Sequence, residues 1–471
     1  MPYLNWSCYL LLAVLGSDGE WDRFRGPNGS GISEATRLPS AFGPGANQIW
    51  RTPLPLGHSS PILSHDRIFL TGVENEKLYL IALDRRTGRI IWQRESPRAR
   101  EERLHKLNNP ASATPASDRT QVYAFFGDYG LVCYNKAGRE RWRTPLGPFS
   151  NVYGMGVSPI VVGDNVVLVV DQSRDSYIAA FKKTNGALRW KTPRPAAVSG
   201  CSVPVLYRDS RGRLQIIAPS SQRMEGYDAE TGEVLWYVIG LPGEMKSQPV
   251  LYGSHIFVNG YAWTHNEPGN IRPVPTFEAG LMADDKNSDG FIARDEVRDA
   301  RAKEAWPFID LNSDGKLDRG EWDKYRALMA SENALLAYSL RDSEPHMAPK
   351  LLWKYQRAIP QLPSIVVYRG VLYMFSDAGI LTTLDPSSGR IFKQGRVRGA
   401  SGSYLASIVA ADGKIFLASQ SGIVAVLKAG GEQELLRINN LDESIFATPA
   451  IDDKRIFIRT VSALYCFGMR E

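Results

Sequence analysis

The sequence predicts an all-β fold: an eight-bladed β-propeller closed by an N-terminal strand, with a small α-helical insert in blade five. Three observations predict it. A short opening recurs at Ser60-Pro61, Thr114-Pro115, Ser158-Pro159, Val203-Pro204, Gln248-Pro249, Pro363-Ser364, Ala406-Ser407 and Thr448-Pro449. Each opening leads into a pair of apolar, β-branched runs split by a polar turn, such as Ile160-Val161-Val162 and Asn165-Val166-Val167-Leu168, the pattern of a hairpin. A third run then reaches a glycine turn followed by a large aromatic: Gly88/Trp92, Gly138/Trp142, Gly186/Trp190, Gly232/Trp236 and Gly389/Phe392. The glycine takes the positive φ of a tight turn, and the aromatic fills space against the neighbouring blade. Four strands every ~45 residues describe a propeller.

The elements follow in order. Residues 1–20 read as a signal peptide, because Tyr9 to Leu15 is an apolar stretch too short to span a membrane, although no Lys or Arg precedes it. Residues 21–44 form an N-terminal extension, and residues 45–265 hold blades one to four and the first part of blade five. The openings lie 42 to 54 residues apart, except for one gap that adds an insert at residues 266–332. It leaves between the second strand of blade five, His255 to Asn259, and the third, Leu335 to Tyr338. That loop shares a face with the blade-to-blade connections. Residues 333–471 complete blades five to eight. The last repeat stops after a third strand, Ala463 to Phe467, and Gln48-Ile49-Trp50-Arg51 is a fourth strand lacking a repeat of its own. Pairing the two would close the ring and remove open edges.

The insert carries the sharpest chemistry. Two segments, Asp285 to Glu296 and Asp310 to Glu321, fit the twelve-residue EF-hand calcium loop. A hard cation takes roughly six to eight oxygens. Asp285, Asn287 and Asp289 supply positions 1, 3 and 5 of the first loop, and Asp310, Asn312 and Asp314 those of the second. The carbonyls of Phe291 and Lys316 serve position 7, and Glu296 and Glu321 close each shell at position 12. Gly290 and Gly315 permit the bend at position 6, and Ile292 and Leu317 suit a β-bridge between the loops. Two Ca²⁺ sites are expected. The second should bind tighter, because Asp318 can hold a water at position 9 where the first loop has Ala293. Between the loops there is room for one helix ending near Pro307, and Trp322, Tyr325, Leu328 and Met329 follow at helical spacing. So little helix favours a structural or buffering role over a switch.

Composition excludes other classes. The formal charge is +6, but residues 284–326 hold twelve acids against nine bases, so the remainder is moderately basic. No run of five Lys or Arg occurs, which argues against nucleic acid. No transmembrane segment is expected. Cys8 lies in the signal stretch, and Cys133, Cys201 and Cys466 are far apart and read as buried free thiols. His58, His105, His255, His265 and His346 form no ligand spacing or triad.

The turn-Gly-x-x-x-Trp repeat resembles the PQQ-like propeller family, which includes quinoprotein dehydrogenases and the outer-membrane barrel-assembly lipoprotein. The segment Trp21-Asp22-Arg23-Phe24-Arg25-Gly26-Pro27-Asn28-Gly29-Ser30-Gly31 is similar to the opening of exported bacterial propellers, several of which carry EF-hand inserts. The resemblance implies a periplasmic or extracellular protein whose mature chain starts just before Trp21. Quinoprotein alcohol dehydrogenases typically show adjacent cysteines stacked on the cofactor. This sequence has no Cys-Cys pair, so PQQ is not expected and a PQQ-dependent dehydrogenase is the alternative reading. His58, Asn109, Met155, Cys201, Lys246, Gln361, Tyr404 and Phe446 precede the inner strands and should ring the channel mouth. They are mixed in type, which points to a calcium-binding scaffold with a protein or polysaccharide partner on the loop face.

Overall fold

The computed structural model describes residues 20–341, 347–400 and 402–469. The signal-peptide expectation, with Cys8, and His346 lie outside them. Eight four-stranded antiparallel sheets form the ring. Blades one to four run from Ile62 to Ser96, Ala116 to Pro145, Ile160 to Pro193 and Val205 to Ile239. Blade five pairs Val250–Tyr252, His255–Gly260, Ala334–Ser339 and Lys350–Tyr355. Blades six and seven run from Val366 to Arg396 and from Val409 to Asn440. Blade eight adds Gln48–Pro53 to the edge of Ala463–Gly468, with Trp50 opposite Cys466. The ring therefore closes as its unpaired strand implied.

Packing between blades explains the repeat. Each turn glycine is covered by the tryptophan of the preceding blade, not by the one that follows it in its own blade. A Cβ on Gly88, Gly138, Gly186, Gly232 or Gly389 would lie 2.4–2.8 Å from the indole of Trp50, Trp92, Trp142, Trp190 or Trp353 respectively. Trp92 and Trp142 also donate from Nε1 to the carbonyls of Lys136 and Lys183 in the next turn, at 2.8 and 2.6 Å. Trp236 breaks the rule. It sits over Gly226 of its own blade and donates to Gln215 at 2.8 Å.

A second seam runs along the inner strands. The amides of Ser60, Thr114, Ser364, Ser407 and Thr448 donate to the hydroxyls of Thr114, Ser158, Ser407, Thr448 and Ser60, and Gln248 donates to Ser364, all at 2.9–3.0 Å. This is why the openings favour Ser or Thr. Each bond contributes about 0.5–1.5 kcal/mol net. The belt is interrupted around blade four, where the matching residues are Val203 and Gln248.

The N-terminal extension crosses the axis. The amides of Leu63 and Ser117 donate to the carbonyls of Trp21 and Asp22, at 2.7 and 2.9 Å. Asn28 both accepts from and donates to the backbone of Leu206, at 2.8 Å each way. Ala410 donates to Gly31 at 2.8 Å. Buried Arg23 and Arg25 cap the carbonyls of Pro204 and Ile365 at 2.6 Å. A segment bonded to the inner strands of blades one, two, four, six and seven closes one end of the channel. Burial pulls Arg25 down to about 9, still protonated at neutral pH.

The insert leaves blade five after Gly260 and returns at Ala334, on the opposite face. It contains α1 (Phe277–Asp284), α2 (Ala300–Ile309) and α3 (Arg319–Ala330) around a small core of Phe277, Ile292, Trp306, Leu317, Trp322, Tyr325 and Met329. Asp299 caps α2 by accepting from the Arg301 amide at 2.9 Å. Pro307 lies inside the last turn of α2, near its end as expected.

Gly186→Ala should destabilise the ring by about 2–4 kcal/mol, combining a left-handed backbone penalty with a clash against Trp142. Gly163→Ala, also at positive φ but with no neighbour within 4 Å of the added methyl, should cost about 1 kcal/mol. Equal losses in urea melts would remove the indole from the explanation.

Candidate functional site

The two loops share one geometry. In the first, the amides of Asp289 and Gly290 donate to Asp285 (3.2 and 3.0 Å), Asp289 also donates to Asn287 (2.9 Å), and Phe291 donates to Asp289 (3.0 Å). In the second, Asp314 and Gly315 donate to Asp310 (3.2 and 3.1 Å), Asp314 to Asn312 (2.8 Å) and Lys316 to Asp314 (3.0 Å). The backbone thus winds tightly behind the oxygens at positions 1, 3 and 5. Gly290 and Gly315 sit at φ 82° and 86° with open space around them, so the demand for glycine is conformational. Ile292 pairs with Leu317 in a two-stranded bridge that yokes the loops.

The acids at position 12 bind backbone amides, which their place in the sequence pattern does not announce. Asp318 is the N-cap of α3 and accepts from the Glu321 amide at 2.8 Å, while Glu321 Oε2 accepts from the Asp318 amide at 3.1 Å. This is a capping box. Glu321 Oε1 also accepts from Leu311 and Asn312, at 2.9 and 3.2 Å. Glu296 likewise accepts from Ala293 and Lys286, at 2.9 and 3.1 Å. Burial and neighbouring Asp318 raise the Glu321 carboxyl above its ordinary range, opposed by those amides. Among the described residues no group of three or more His, Cys, Asp or Glu side chains converges as a metal cage. Both closing glutamates are hydrogen-bonded to loop amides. The donor set still suits a hard cation: it is all oxygen, and among the described residues the only cation paired with the carboxylates at positions 1 and 5 is Lys316, 3.5 Å from Asp289.

At the mouth, the expected ring divides. Tyr404 is buried, donating to the Ala400 carbonyl at 2.8 Å, and Met155 packs in a blade core. Asn109 shapes a turn by accepting from Ala111 at 2.8 Å. His58 stacks on Phe446 at 4.0 Å, and burial with nearby Arg459 pushes it down to about 4.

Lys246 gathers the rest. It pairs with Glu244, and its Nζ lies 4.2 Å from the Tyr153 ring centroid. Tyr153 donates to Glu244 at 2.8 Å. Asp377 accepts from the Gln361 amide at 2.6 Å, and burial raises its carboxyl. Half-buried Cys201 belongs to the same corner, with its thiol raised by burial. Glu244, Tyr153 and Asp377 were not named from sequence. The available signal was Glu244-x-Lys246, just before an opening where Gln248 replaces the hydroxyl residue.

The family profile described as outer membrane protein assembly factor BamB matches residues 79–261 and 319–470. The chain belongs to this PQQ-like propeller family. The unmatched stretch between those segments contains α1, α2 and the whole first loop. Among solved structures, BamB from Moraxella catarrhalis aligns at 11% identity and TM-score 0.58, covering 90% of this chain and 99% of that one. A europium-containing methanol dehydrogenase aligns at 10% identity and TM-score 0.61, covering 96% and 98%. A quinohemoprotein alcohol dehydrogenase from Pseudomonas putida aligns at 12% identity and TM-score 0.58, covering 96% and 81%. At such identities these likenesses carry the fold alone. No curated protein matches by sequence. Among the described residues no helix is long and apolar enough to cross a membrane.

His58 stays neutral in the fold while the unfolded chain takes up a proton near pH 6.5. Stability contributed by this residue should therefore fall as pH drops from about 6.5 to about 4. His58→Phe should flatten that part of the pH profile in thermal melts. An unchanged slope would place the titration elsewhere.

Proposed function

We propose that this protein is an exported, calcium-binding propeller that serves as a binding scaffold, engaging a protein or glycan partner on the face that bears the insert. The paired loops carry this reading: two all-oxygen donor sets, wound by the same amide pattern and joined through Ile292 and Leu317. Asp285, Asn287, Asp289, the Phe291 carbonyl and Glu296 would hold one Ca²⁺. Asp310, Asn312, Asp314, the Lys316 carbonyl, Asp318 (through water) and Glu321 would hold the other. Bound calcium would draw Glu296 and Glu321 towards the loop centre and stabilise the insert by linkage.

The scaffold reading is supported by the mouth, where Lys246 is matched by Glu244 and the remaining rim residues pack or shape turns. The likeness to BamB is compatible with it. A periplasmic or extracellular location follows from the kinship and from loops suited to high free calcium. A PQQ-dependent dehydrogenase is the competing activity, and a dye-reduction assay after PQQ addition should give no turnover above background.

Calorimetry should resolve a chelator-sensitive transition of the insert beneath a ring transition that calcium leaves in place. Glu321→Gln should weaken the tighter of two calcium sites by about tenfold or more in titration, since one bidentate carboxylate is lost. Traces that superimpose with and without chelator would remove the metal from the account.

A further inference from the structure

The buried arginines of the ring are compensated in different ways. Arg194 lies among acids: its Nε donates to Asp171 at 2.7 Å and its Nη1 to Glu225 at 3.0 Å. Arg459 faces no carboxylate, but neutral oxygens surround it. Its two terminal nitrogens donate to the carbonyls of Ser59, Thr71 and Pro55 and to the Ser59 hydroxyl, at 2.6–3.2 Å. Arg23 has Asp22 beside it to offset its charge. Arg25 has none of these. It is fully buried, its Nη2 donates to the carbonyls of Ile365 and Ile408 at 2.6 and 3.4 Å, and its Nε and Nη1 have no partner among the described residues. The buried carboxylates of the ring are already taken: Asp128 by Arg98, Asp171 and Glu225 by Arg194, and Glu244 by Lys246.

A second orphan stands at the same place. Gln248 is 1% exposed, and neither atom of its side-chain amide has a partner among the described residues. It occupies a position where most blades carry the Ser or Thr of the inner belt. Its backbone amide donates to Ser364 at 2.9 Å, and Arg25 donates to the next residue, Ile365. From the other side, Gly29 lies against the Gln248 amide, and Gly31 lies where a Cβ would come within 2.7 Å of Arg25 Nη2. Two glycines of the extension and two residues of blade six thus bring the two orphan groups together. Water completes hydrogen bonds but does not neutralise a guanidinium, and a buried charge left uncompensated is strongly unfavourable.

We propose that Arg25 and Gln248 form a binding site for a small monovalent anion of the halide class, which pins the N-terminal extension to blades five and six where it crosses the axis. One negative charge matches the one guanidinium. The carbonyls of Ile365 and Ile408 repel a dianion, and Gly29 and Gly31 bring the chain too close for a bulky oxyanion. The site is independent of the calcium loops.

Crystals grown with bromide in place of chloride test this on the unaltered chain. An anomalous peak between the Arg25 guanidinium and the Gln248 amide is the expected result. No peak there, or bromide at the surface alone, overturns the proposal and leaves the corner to ordered water. In solution, replacing gluconate by chloride at constant ionic strength should raise Tm by about 2 °C or more and saturate as a single site. Arg25→Gln should abolish that response, and Arg189→Gln, on an exposed outer strand, should keep it. If Arg25→Gln fails to fold, Gln248→Leu, expected to weaken the response, and the bromide crystals decide. A response that does not saturate and is shared by every variant is a general salt effect and overturns the site.

Discussion

The contact on which the ring depends is the indole of one blade lying flat on the turn glycine of the next. A propeller has no core shared by all its sheets; each blade meets only its two neighbours, so stability is a sum over seams. Trp50, Trp92, Trp142, Trp190 and Trp353 occupy such seams, and Phe392 does the same against Gly431 with a smaller ring. The belt of Ser and Thr hydroxyls repeats the tie nearer the axis. Trp50 closes the circle by reaching the first blade from a strand that belongs to the last.

Both ties lapse around blade four, and the insert stands there. Trp236 turns back on its own blade, and Val203 and Gln248 carry no hydroxyl. The contacts of Phe308 and Leu328 bridge the loops of this sector. The insert thus adds contacts in the sector where the indole and hydroxyl ties of the repeat are altered. The two ends of the ring differ: one is crossed by a backbone-bonded segment with buried arginines, and the other is flanked by the helical insert.

Within the loops, one residue serves two ends. Glu321 is both the twelfth residue of the second loop and the third position of a helix capping box, and Asp318 is both the ninth residue of that loop and an N-cap. Helix capping and the winding of the loop draw on the same carboxylates.

Eight blades, the closing strand and the place of the insert were legible because each rests on a local rule: hairpin alternation, a turn glycine, an interrupted period. The like winding of Asp285 to Glu296 and Asp310 to Glu321 was legible for the same reason, since the spacing of oxygen-bearing side chains along one loop is a property of contiguous residues. The pairing of Trp142 with Gly186 was not, because both stand inside correct local patterns and only the ring says which faces which. The same holds for Arg25 crossing the axis to Ile365 and for Tyr153, Glu244, Lys246 and Asp377, drawn from three different connections. Short-range order lies in neighbouring residues, but a corner built from distant loops exists only once the circle has closed.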